Sequence, residues 1–120
     1  MEKILLEYRK DTGDWGIPGG YMEPGETLKE TAIRELKEEL STSADDLSLY
    51  DVFSEEDFYH VYPNGDQVYS VMALYFAESI NGDINPDQKE IGKVTFFEKE
   101  AIPEKLTKTT QVILKKVVLD

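Results

Sequence analysis

The chain has no cysteine and a single histidine, His60. Disulfides, thiolate nucleophiles and zinc-thiolate sites are thereby excluded together, and any metal has to be held by oxygen ligands or by His60. Hard cations such as Mg2+ or Mn2+ become the default. Basic residues are scarce: 13 Lys and Arg stand against 25 Asp and Glu, a net charge of -12. A chain this acidic repels nucleic acid polymers and anionic membranes, because both need a basic patch that neutralises phosphates. A small anionic substrate is compatible with it only if divalent cations stand between the phosphates and the carboxylates. No apolar run approaches the roughly 20 residues of a membrane span. The segment after Met1 reads as a strand, KILLEY, rather than as a signal peptide. A cytoplasmic protein is expected. No Pro/Gly/Ser-rich stretch divides the chain, so residues 1–120 are read as one domain.

Residues 2–8 read as a strand, followed by a turn at 11–14 and a short extended WGIP that ends in Gly19 and Gly20. Thr27, with Glu30 three residues later, has the spacing of a capping box. Leu28, Ala32, Ile33, Leu36 and Leu40 then recur at helical spacing up to Ser41. From 46 to 79 the pattern is one of strands: LSLYDVF, DFYHVY, an Asn64-Gly65 hairpin turn and QVYSVMALYFA. VTFFE at 94–98 reads as another strand, and 107–118 as a second helix. Strands on both sides of a central helix, with a second helix after them, indicate an α/β or α+β layered domain.

The chemistry concentrates in GGYMEPGETLKETAIRELKEELST, residues 19–42. At about 100° per residue with Leu28 at zero, the apolar stripe spans roughly 0 to 140°, while Glu38, Glu35 and Glu39 fall at about 280°, 340° and 20°. Glu39 therefore projects into the stripe expected to pack on a sheet, where a carboxylate is costly unless paired or bound to a metal. Spacings of three and four put the three glutamates on one ridge, where their like charges repel until a counterion intervenes. Arg34 is within helical reach of Glu30 and Glu38, but one guanidinium cannot balance so many carboxylates. An acidic helix face is commonly just solvated. The inward Glu39 and the Gly-rich turn directly before the helix favour a metal site instead.

This stretch resembles the box that defines the Nudix family, G-x5-E-x7-R-E-U-x-E-E-x-G-U with U aliphatic. The match is at Gly20, Glu26, Arg34, Glu35, Leu36, Glu38 and Glu39. WGIPGG at 15–20, P-G-E at 24–26 and the strand ILLEYR also look like the family's flanking segments. The box's end departs from the pattern, with Ser41 in place of the final glycine and Thr42 in place of the last aliphatic residue. Glycine there suits a left-handed helix cap, so the departure bears on the helix end rather than on the carboxylates. The resemblance implies an α/β/α sandwich with a mixed sheet, and a strand before ILL for which Met1 leaves no room. With its first strand missing, the sheet would expose KILLEY as an unpaired edge, which predicts a homodimer or an exchanged strand.

By resemblance, Glu35, Glu38 and Glu39 ligate Mg2+, with Mn2+ as a substitute, helped by the Gly20 carbonyl, and Glu26 pairs with Arg34 to hold the loop on the helix. One to three such ions would bridge phosphate oxygens and activate water for hydrolysis at phosphorus. The general base is a box glutamate or a later one, for which Glu90 is the candidate. Arg9 matches a position for a substrate-contacting arginine. His60, Tyr59, Tyr62 and Phe58 read first as core and cross-strand pairs, and Trp15 as packing. The expected activity is cleavage of the pyrophosphate linkage in a small nucleotide-type substrate, ADP-ribose-like or a (d)NTP. The alternative is a catalytically weak domain that binds a nucleotide as a sensor or interaction module.

Overall fold

The computed structural model of the protein describes residues 3–54 and 56–117. Its strands are β1 (Ile4–Arg9), β2 (Asp14–Gly16), β3 (Ser43–Asp45), β4 (Ser48–Phe53), β5 (Tyr59–Val61), β6 (Gln67–Tyr69), β7 (Met72–Phe76), β8 (Ser79–Asn81) and β9 (Ile91–Phe97). The helices are α1 (Leu28–Leu40) and α2 (Lys108–Lys116). β1 lies between β2 and β9 in an antiparallel sheet, and β3 with β8, β4 with β7 and β5 with β6 form antiparallel pairs. Among the described residues, parallel pairing is confined to a bridge between Trp15 and Leu106. No helix among them is long and apolar enough to cross a membrane.

The expected unpaired edge at KILLEY is corrected by this topology. β1 is the middle strand of its sheet: Leu6 pairs with Thr95 and Glu7 with Val94 on one side, and Glu7 with Gly16 on the other. β9 occupies the edge for which a partner chain was expected, so the case for a homodimer or an exchanged strand at β1 lapses. Consecutive residues on a strand face opposite sides, and Leu6 and Glu7 are both fully buried, so both sides of β1 are covered. α2 covers the side of Ile4, which joins Leu106, Leu114 and Val117 in one apolar groove. α1 covers the side of Glu7. The domain is thus a mixed α+β fold with a helix on each face of its central sheet. Trp15 packs edge-on between Tyr8 and Phe97, with ring centroids at 5.4 and 5.1 Å.

α1 begins as its capping box predicts: Thr27 Oγ1 accepts from Glu30 N–H at 3.1 Å and Glu30 Oε1 accepts from Thr27 N–H at 2.9 Å. Its buried face is rotated from the one expected. Leu28 and Ile33 are exposed, while Thr31 and Leu40 are buried and Glu35 and Glu39 are half-buried. The helix ends in Ser41, which takes the left-handed conformation at φ 54° and donates its N–H to the Lys37 carbonyl at 3.0 Å. The cap geometry of a glycine is therefore kept by a residue that adopts it at a steric cost. Thr42 is buried like an aliphatic residue, and its hydroxyl is satisfied by the Asn81 carbonyl. The carbonyls of Glu39 and Leu40 accept from Asp87 and Asn85 N–H, both at 2.8 Å, which ties the end of α1 to the loop before β9.

Elsewhere the strands are shorter than the sequence suggests. QVYSVMALYFA divides at Ser70-Val71 into β6 and β7, where Ser70 N–H reaches the Phe58 carbonyl at 3.2 Å rather than continuing one ladder. DFYHVY opens with a 3-10 turn at Glu56–Phe58. β9 begins at Ile91, ahead of the expected Val94, and β3 and β8 are three-residue strands with no alternating signal. Phe53, Phe58, Ile113 and Val117 form the main apolar core with Ile17, Met72, Leu74 and Val112 packed against it.

Candidate active site

Arg34 is the hub of the outer cluster. Its Nε donates to Glu26 Oε2 at 2.6 Å and its Nη2 to Glu26 Oε1 at 3.0 Å, a fork-to-fork pair that positions as well as attracts. Nη1 donates to Glu35 Oε1 at 3.0 Å and Glu38 Oε2 at 3.2 Å, and stands 3.6 Å from Glu23 Oε1. Nη2 also reaches the Tyr21 carbonyl at 2.9 Å. Glu26 Oε1 further accepts from Glu23 N–H at 2.8 Å and Thr31 Oγ1 at 3.0 Å. The loop 20–26 is thereby fastened to the first two turns of α1. The Arg34 hydrogen bonds hold the Glu26 carboxyl down at about 2.

Gly20 completes the clasp. A Cβ at this position would fall on the Glu35 carboxyl, with Cδ at 2.5 Å, so the backbone approaches that group as closely as only glycine permits.

The inner cluster lies between α1 and β1. Glu39 points at Glu7, which is 1% exposed. Glu39 has the carboxyls of Glu7 and Glu35 as its neighbours, so that its protonated form is favoured. Burial, then the neighbouring Glu7 and Glu35, push Glu39 far above the carboxylate range; burial pushes Glu7 the same way. Oε2 of Glu7 and Oε2 of Glu39 are buried, and among the described residues no donor reaches either. The nearest base is Arg9, whose Nη1 is 3.6 Å from Glu7 Oε1 and whose Nε is 3.4 Å from Asp11 Oδ1. Glu90 is exposed, with its charge felt at Glu7, and its carbonyl accepts from Lys10 N–H at 2.8 Å.

Gly20, Glu26, Arg34, Glu35, Glu39, Arg9 and Glu90 thus gather around one end of β1. The single ridge expected of Glu35, Glu38 and Glu39 is split: Glu35 and Glu39 turn inward, while Glu38 is 58% exposed and held by Arg34. Among the described residues no three carboxylate or imidazole groups already stand as a ready metal cage. The donor set nevertheless suits a hard divalent cation, being all oxygen and including two buried oxygens without a partner. Gathering Glu38 with the others requires Arg34 Nη1 to release Glu35 and Glu38. Glu7 was missed by the sequence reading. The signal for it was an acidic residue within an otherwise apolar strand, ILLEY.

The NUDIX domain model matches residues 2–117 of the chain. The uncharacterized Nudix hydrolase YvcI of Bacillus subtilis is 31% identical over 99 residues, 81% of this chain and 59% of the relative. The ADP-ribose pyrophosphatase of Methanocaldococcus jannaschii is 33% identical over 107 residues, 85% of this chain and 58% of the relative. The chain spans about three-fifths of the length of these curated relatives. The crystal structure of the MutT NUDIX hydrolase from Burkholderia pseudomallei superimposes with a TM-score of 0.78 at 27% identity, covering 97% of this chain and 88% of that one.

Proposed function

The chain belongs to the Nudix family, and from that premise we propose that it is a Mg2+-dependent pyrophosphohydrolase acting on a nucleoside diphosphate linked to another group. ADP-ribose-like compounds and (d)NTPs are the proposed substrates, in keeping with a relative named as an ADP-ribose pyrophosphatase. Such substrates are cytoplasmic, and so is the proposed enzyme. The observation that carries the reading is the pair of donor-less buried oxygens on Glu7 and Glu39, beside the Gly20 turn and the Glu35 carboxyl. A fully buried carboxyl with an orphaned oxygen is destabilising unless a proton or a cation compensates it.

Glu35, Glu38, Glu39 and the Gly20 carbonyl would hold Mg2+, or Mn2+ in its place. When bound, the cation supplies charge neutralisation at the pyrophosphate and acidifies the attacking water. The remaining work falls to the chain's own groups. Arg34 and Glu26 fix the loop 20–26 against α1, with Gly20 abutting the Glu35 carboxyl. Glu7 holds the inner end of Glu39 in place, and Arg9 at the end of β1 faces the substrate's anionic part. The water oxygen bonds to phosphorus, its proton passes to a box glutamate or to Glu90, and the bridging P–O bond breaks with its electron pair on the departing phosphate.

The sensor alternative keeps the binding and lacks the turnover. A panel of ADP-ribose, nucleotide sugars, dinucleoside polyphosphates and (d)NTPs separates the two. Release of a nucleoside monophosphate or pyrophosphate in Mg2+, abolished by EDTA and restored by Mg2+ or Mn2+, is expected. Undiminished turnover after complete chelation overturns the metal assignment, and nucleotide binding without any turnover across the panel favours the sensor.

A further inference from the structure

Arg9 and Arg34 are the two arginines of the chain, and they are held in different ways. Arg34 makes five hydrogen bonds of 2.6 to 3.2 Å, as many as a guanidinium has N–H donors, and has no edge left for a ligand. Arg9 makes no contact so close with a carboxyl. Its Nη1 stands 3.6 Å from Glu7 Oε1, while Nε and Nη2 stand 3.4 Å from Asp11 Oδ1 and Oδ2. A well-made charged N–H···O pair closes to about 2.7–2.9 Å.

The two carboxyls that share Arg9 differ in what they need from it. Glu7 is fully buried, and a buried carboxylate without a counter-charge is costly, so its hold on Nη1 anchors the guanidinium. Asp11, on the turn after β1, is 58% exposed and can be solvated by water instead. The turn itself keeps Asp11 in place: Oδ1 accepts from Thr12 N–H at 2.9 Å, and Gly13 N–H closes on the Arg9 carbonyl at 2.8 Å. The Arg9 hydrogen bond holds the Asp11 carboxyl below the ordinary carboxylate range, so it is ionised at neutral pH. Nε and Nη2 form the fork with which a guanidinium grips two oxygens of one phosphate. The two oxygens of Asp11 occupy that fork.

We propose that Asp11 is an internal competitor of the substrate: it covers the Nε–Nη2 edge of Arg9, and a phosphate group binds there by displacing it while Glu7 keeps Nη1 anchored. That Arg9 faces the anionic part of the substrate rests on the pyrophosphohydrolase reading; the hold of Asp11 on the guanidinium does not. Asp11 therefore lowers affinity rather than raising it. Displacement is easy, because both contacts are long and the released carboxylate regains its water.

The test is 15N NMR of the arginine Nε–H groups on the full chain in saturating Mg2+, with pyrophosphate as the probe. Arg9→Lys removes, and so assigns, one of the two signals. Pyrophosphate is expected to move the Arg9 signal in the wild type. Asp11→Asn keeps an oxygen for Thr12 N–H and is expected to lower the Kd for pyrophosphate about 2- to 5-fold, the worth of one exposed ion pair. Asp11→Ser, which also suits a turn, is expected to act in the same direction, and thermal melting checks that both variants fold. Asp14→Asn is the control for bulk charge: it removes the same charge from the same turn, but Asp14 accepts from the Thr12 hydroxyl rather than from an arginine, and its Kd is expected to stay at the wild-type value. An Arg9 signal that pyrophosphate leaves in place overturns the proposal, and so do Asp11 variants that bind no tighter than Asp14→Asn. The expected Arg9 responses without hydrolysis on the substrate panel sink the pyrophosphohydrolase reading and leave Asp11 as the cover of an anion site. Hydrolysis with an unmoved Arg9 signal does the reverse.

Discussion

Arg34 answers the carboxyls of Glu23, Glu26, Glu35 and Glu38 with one guanidinium, every one of them within 3.6 Å of it. On the inner side of α1 Glu39 meets Glu7, which has Arg9 at 3.6 Å as its ion-pair partner among the described residues. The outer cluster is self-sufficient, and its ionised form is favoured: Arg34 holds Glu26 at about 2. The inner cluster is not, and burial beside like charges favours its protonated form. An ion-pair network balanced by its own guanidinium and a carboxyl pair that is not therefore sit on the same helix, and charge counts alone do not tell them apart. What separates them is whether the compensating charge belongs to the chain.

The largest expected effect comes from removing the inner charge. Glu39→Gln should lower the Mg2+-dependent rate by about 10²-fold or more, as for loss of a key electrostatic group. It should leave the metal-free protein no less stable, because the amide needs no proton to sit beside Glu7. Steady-state rates and thermal melting in EDTA check both halves. Wild-type turnover in Glu39→Gln would show that the inner cluster is structural.

The two clusters also predict opposite responses to pH. Folding lowers the pKa of Glu26 from 4.5 to about 2, so the outer hub stabilises above 4.5 and loses that contribution as pH falls toward 2. Folding raises Glu39 above 4.5, so the folded chain binds more protons than the unfolded one, and metal-free stability falls as pH rises above 4.5 through neutrality. Melting temperatures in EDTA should therefore pass through a maximum just above that value, and Mg2+ should flatten the alkaline side by replacing the proton. An alkaline side that Mg2+ leaves unchanged would break the distinction between the clusters.

The smallest effect lies at the helix end that both clusters share. Ser41→Gly relieves a left-handed non-glycine cap at φ 54°. It should raise stability by about 1 kcal/mol, read as a shifted denaturant midpoint with unchanged slope. A loss of stability would mean that the Ser41 side chain contributes more than the strain removes.

Much of the site was legible because local spacing carries it. Thr27 and Glu30 mark the start of α1, and the i, i+4 relation of Arg34 and Glu38 is visible without a fold. Asn64-Gly65 marked the turn that carries Tyr62, with Gly65 at φ +93°. The three-residue strands β3 and β8 escaped because so short a segment has no periodicity to read. The inward Glu39 was legible from the helical wheel, and it is half-buried, whereas Leu28 and Ile33, assigned to the same face by hydrophobicity, are exposed. Hydrophobicity predicts burial only where polar side chains have no buried partner.

By itself the sequence determined the family, the helix that bears the glutamates, its capping and the exclusion of thiolate metal ligands, since each follows from residue type and near-neighbour spacing. Only the tertiary structure decided that β1 is a central strand, that Glu7 faces Glu39, and that Glu38 parts company with Glu35 and Glu39. Those follow from packing between segments distant along the chain, set when β1 lies between β2 and β9 and against α1, and no local pattern of residues encodes them.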